Sequence, residues 1–133
     1  MMIYAMFSMA MLTILVGLIV VKVRVQSVKS GQLRVGYFKL MQGDKAPEAI
    51  IKTTRCFNNL FEIPVLFYVV CTLYVSLGIH SMLALTAAWL FVLCRYAQAY
   101  IHITYNHVGH RMYTFAGSVL CMCILWINLV INV

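Results

Sequence analysis

The sequence predicts an all-α membrane protein, a bundle of four transmembrane helices with both termini on the non-cytoplasmic side. Three observations carry this. Of the 133 residues 64% are hydrophobic, and mean hydropathy is +0.94, whereas soluble domains are roughly half apolar. The apolar residues gather into four runs of about 20 residues each, the length that crosses about 30 Å of hydrocarbon, where only helices and closed barrels satisfy their backbone hydrogen bonds. Eight of the ten basic residues fall between Lys22 and Arg55, at the junction of the first two runs, while "GIHS" between the second and third has none. By the positive-inside rule that basic segment is cytoplasmic.

The first span, residues 2–21, carries no charge. It lacks a basic leading region and a small-residue cleavage site, so it reads as a membrane helix rather than a signal peptide. Residues 22–53 form a basic cytoplasmic loop. Val35, Tyr37, Phe38, Leu40 and Met41 lie among its cations, which suits either an interfacial loop at headgroup level or a lid docking over a site. "GDKAPEA" reads as a turn into a helix, with Pro47 in its first turn and Glu48 near the positive end of its dipole. The second span, 54–77, is therefore expected to start in the cytoplasm and enter the bilayer as one long helix.

The third span covers 82–105, and the loop "YNHVGHR" after it returns to the cytoplasmic side with Arg111. In the fourth span, 112–131, Gly117 and Ser118 permit close helix approach, and Trp126 and Asn128 read as interface and packing positions. The five cysteines lie within or beside spans with no CxxC pair, as buried packing residues do. His102, His107 and His110 do not share one helical face and have no carboxylate beside them, so no metal site is expected. The net charge of +7 is a topology signal and a contact for anionic lipid, not a nucleic-acid footprint. The whole chain, 1–133, reads as a single membrane domain without repeats, Walker loop, HExxH or nucleophile elbow.

Chemistry must then come from polar residues on the spans. Arg55, Asn58, Asn59 and Glu62 stand at i, i+3, i+4 and i+7, one face of a helix, which must look into the bundle either to glue helices together or to serve a site. Arg95, Gln98 and His102 follow i, i+3, i+7 on the third span, with Tyr96 and Tyr100 beside them. Glu62 lies about 15 Å below the start of its span, and Arg95 about 18 Å from the end of the next, so the two are expected at one depth as a structural ion pair. Above them Arg55, Asn58, Asn59, Gln98, His102 and Tyr100 would line a cleft suited to a carboxylate-rich, peptide-like ligand.

Two of these segments, R-x3-N-x2-E with a following proline (Arg55, Asn59, Glu62, Pro64) and R-Y-x-Q-x-Y (Arg95, Tyr96, Gln98, Tyr100), resemble the MAPEG superfamily, the membrane-associated proteins of eicosanoid and glutathione metabolism, in its small bacterial-type form. The resemblance implies a homotrimer in a bacterial inner membrane, with glutathione bound between subunits and a lipophilic substrate entering from the lipid. Carried over by position, Arg55, Asn59, Glu62, Gln98 and Tyr100 would contact glutathione, with Tyr96 beside them. A cation at the third loop would favour the thiolate. The position in register there is His107, with Arg111 four residues on and Tyr113 as a further candidate donor to the sulfur. Two functions are thus expected: a glutathione-dependent transferase or peroxidase acting on a lipophilic electrophile or lipid hydroperoxide, or a non-catalytic membrane scaffold or lipid-binding protein of the same fold.

Overall fold

The computed structural model describes residues 1–43 and 45–133, and among these it is all helical. Asp44, in the turn expected before the second span, lies outside the described residues. The helices are α1 (Met2–Lys29), the short α2 (Tyr37–Leu40), α3 (Glu48–Asn59), α4 (Ile63–Ser76), α5 (Met82–Ile103) and α6 (Val108–Asn132). Four stretches are long and apolar enough to cross a membrane: α1, the α3–α4 stretch from Glu48 to Ser76, α5 and α6. The four-span architecture is therefore as the sequence predicts.

Helix α1 continues beyond the expected boundary, because Lys, Arg and Gln after Val21 favour helix and the first breaker is Gly31. Gly31 adopts φ +73°, and the Gln32 and Leu33 amides bond back to the Ser27 carbonyl, reversing the chain. Ala5, Met9, Leu12, Val16 and Val20 form the buried stripe of α1 at spacings of three and four. That stripe packs against α3, α4 and α5, while α5 and α6 make the most extensive pairing. Cys94 of α5 approaches Gly117 so closely that an added Cβ would lie 3.2 Å from its Sγ. Phe67 of α4 stacks on Phe91 of α5 with centroids 4.4 Å apart. Large apolar side chains on the outer faces, such as Ile14, Leu18, Leu93 and Leu120, are exposed, as lipid-facing residues are.

The second span is not one helix. It breaks at Leu60–Glu62, where Leu60 and Phe61 bond back to Phe57 and Asn58 in tight turns, and α4 restarts with Pro64 in its first turn. Pro64 has no N–H to return to the Leu60 carbonyl, and its ring crowds that carbonyl. The break turns Glu62 to the exposed N-cap of α4. The single helical face expected to run from Arg55 to Glu62 therefore ends at Asn59.

Candidate functional site

The break places the polar residues of α3 opposite the last turns of α5 and the first turn of α6. Helix α5 ends at Thr104, and Asn106 takes φ +51°, a left-handed conformation that asparagine tolerates better than most residues, with its N–H bonded to the Ile101 carbonyl at 2.7 Å. This tight reversal starts α6 beside α5. It brings Arg111, one turn into α6, back over the end of α5.

Arg111 Nη1 donates to Asn106 Oδ1 at 3.0 Å, and its buried Nε has no partner among the described residues. Arg111 borders two clefts. One, of about 240 Å³, is lined by Lys45, Lys52, Arg55, His102, Asn106 and Arg111 together with Glu48. The other, of about 270 Å³, is lined by Asn59, Gln98, Val108, Arg111, Met112 and Phe115. Behind them a void with space for about one water touches Cys56, Asn59, Arg95, Gln98 and His102. A polar seam thus runs from Lys52 to Gln98 between α3, α5 and α6.

Two buried side chains define the floor of this seam. Arg95 is 1% exposed; its Nη1 donates to Gln98 Oε1 at 3.0 Å, and its Nε and Nη2 have no partner among the described residues. Its guanidinium lies 5.3 Å from the Phe91 centroid and 5.4 Å from that of Phe115, so two aromatic faces and an amide accommodate the charge. Glu62, exposed at the helix break, makes no hydrogen bond to it, and the ion pair expected from depth is not closed within the chain. His102 is likewise 1% exposed, and its Nε2 has no partner among the described residues.

Of the residues singled out from sequence, Arg55, Asn59, Gln98, His102 and Arg111 line the clefts. The others do not. Asn58, one position from Asn59, turns to the exposed side. Tyr96 donates to the Ser8 carbonyl at 2.9 Å and tethers α5 to α1, and Tyr100 is exposed. His107 is the N-cap of α6, its Nδ1 accepting from the His110 amide at 3.3 Å, and it borders neither cleft. Tyr113 is exposed and borders neither cleft.

A family model described as "MAPEG family" matches residues 2–131. The chain belongs to the MAPEG family. Comparison with characterised proteins and with solved structures gave no match. In this MAPEG chain the cation that borders both clefts is Arg111 of α6, while His107, the position in simple register with Arg95, borders neither. Lys52 is one of the cleft residues, with Lys45 and Asn106, that motif reading passed over. Its signal was present, since it precedes Arg55 by three residues on the same helical face, and here its Nζ donates to the Thr104 carbonyl at 3.0 Å, clamping α3 to the end of α5.

Proposed function

We propose that this MAPEG protein is a membrane-embedded, glutathione-dependent transferase or peroxidase acting on a lipophilic electrophile or lipid hydroperoxide. The observation that carries the reading is the placement of Arg111, which stands between two clefts that together collect Arg55, Asn59, Gln98 and His102. Guanidinium groups bind carboxylates with paired hydrogen bonds, and amide side chains match a peptide backbone, so the donor set fits a dicarboxylate tripeptide. Arg55 and Lys52 would hold carboxylate, and Asn59 and Gln98 the backbone.

Arg111 would face the thiol. Among the described residues its side-chain hydrogen bond goes to the neutral Asn106 amide, which leaves the guanidinium a fixed cation to favour thiolate, the competent nucleophile. A positioned cation needs no reorganisation as the negative charge develops. The lipophilic partner would reach the sulfur along the second cleft, where Val108, Met112 and Phe115 supply apolar wall beside Asn59 and Gln98. Asn58, Glu62 and Tyr100 lie on the surface of the single chain, where a neighbouring subunit of a homotrimer would complete the binding site with them.

The experiment is titration calorimetry of the purified protein with glutathione, followed by conjugation to a hydrophobic chloronitrobenzene and reduction of a lipid hydroperoxide. Binding with either turnover is expected. Absence of binding at millimolar glutathione would overturn the reading and leave the non-catalytic scaffold or lipid-binding alternative, which the purely structural ties of Arg95 to Gln98 and Tyr96 to Ser8 favour.

A further inference from the structure

The segment between α1 and α3 lies apart from the clefts and has a surface of its own. Helix α1 is 28 residues long, about 42 Å, against about 30 Å of hydrocarbon, so its last turns from Lys22 stand in the headgroup zone. Beyond Gly31 the chain folds back against this helix end. Leu33, 3% exposed, plugs the fold, and the Arg24 guanidinium lies over the Phe38 ring at 5.7 Å while reaching Thr54 of α3 at 3.5 Å. The hook is thereby fixed to two spans.

The outer side of the hook combines two chemistries. Val35 and Leu40 are 71% and 75% exposed, Met41 is exposed beside them, and α2 has no buried residue. Lys22, Lys29, Arg34 and Lys39 are exposed on the same segment, and residues 22–43 contain five cations and no acidic residue. Apolar side chains flanked by cations, held at the end of a membrane span, match an anionic leaflet surface in both respects: hydrocarbon for Val35, Leu40 and Met41, and phosphate for the cations. A water-facing loop would leave three large apolar side chains exposed, and a like-charged copy would repel the cations.

We propose that the hook, Ser30–Met41 with the adjoining Lys29 at the end of α1, is a binding surface for anionic phospholipid, with Val35, Leu40 and Met41 inserted among the acyl chains and Lys29, Arg34 and Lys39 on the headgroup phosphates. The partner is the leaflet lipid itself. This surface is independent of the thiol reading, because none of these residues borders either cleft.

Hydrogen exchange of the full chain in nanodiscs tests it. Amides 33–41 are expected to exchange at least about tenfold more slowly in discs containing phosphatidylglycerol than in discs of phosphatidylcholine alone, and the difference should vanish in Lys29→Gln/Arg34→Gln/Lys39→Gln. Exchange in α5 and α6 reports whether the variant is folded. Native mass spectrometry should show phosphatidylglycerol retained by the unaltered protein and lost from the variant. Equal exchange in both lipids, slowing that persists in the variant, or protection that depends on subunit association rather than lipid charge would each overturn the proposal.

Discussion

Arg111 Nη1 donates to Asn106 Oδ1 at 3.0 Å, across the reversal that joins α5 to α6. The bond is short in sequence and decisive in space, because Asn106 owes its place to its left-handed conformation and Arg111 owes its direction to Asn106. Replacing Asn106 with alanine removes both the acceptor and the residue suited to that conformation. Weaker glutathione binding is expected from Asn106→Ala with a smaller loss from Asn106→Gly, which keeps the conformation but not the acceptor; calorimetry compares the two.

Among the described residues Arg95 holds its buried charge on one hydrogen bond. Gln98→Leu should lower stability by about 1.5–3 kcal/mol, the worth of a hydrogen bond to a charged group. Arg95→Met together with Gln98→Leu should recover much of that loss, since the unpaired charge is gone. Thermal unfolding in mild detergent makes the comparison, and a double variant no better than Gln98→Leu would contradict the account.

At the far end of the bundle the Tyr74 hydroxyl lies 3.0 Å from the Leu125 carbonyl and 2.9 Å from Asn128 Oδ1. Tyr74→Phe is expected to cost about 0.6–2 kcal/mol, the range for hydrogen bonds between membrane helices, with thiol binding unchanged. A loss of binding would mean that the two ends of the bundle are coupled.

Pro64 sets the break between α3 and α4. Pro64→Ala restores the missing N–H, so amide exchange across residues 61–65 should slow as the helix runs through, with α5 and α6 unaffected. Unchanged exchange would assign the break to packing rather than to the proline.

The four spans were legible because the length of an apolar run translates directly into membrane thickness. The break was not, because helical periodicity from Arg55 to Glu62 extrapolates smoothly past a proline whose effect falls on the preceding turn. The same limit separated Glu62 from Arg95: depth counted along straight helices placed them level, while the break carried Glu62 outward. Counting without a gap from Arg95 led to His107, but that residue caps α6 and the chain reverses around Asn106. Asn59, Gln98 and Arg55 border the clefts, whereas Asn58 and Tyr100, equally within regular helices, face outward, because spacing fixes a side chain's direction around its own helix but not which neighbour that direction meets.

The direct test of the central claim is the ultraviolet difference absorbance of thiolate when glutathione is added to the purified protein at pH 7, measured for Arg111→Ala and for His107→Ala. A cation beside a thiol shifts its ionisation to lower pH, so loss of Arg111 should reduce the bound thiolate by on the order of tenfold or more and move its titration to higher pH. His107→Ala should leave the signal near that of the unaltered protein. Retention of the thiolate signal in Arg111→Ala, or its loss in His107→Ala with Arg111 intact, would contradict the account.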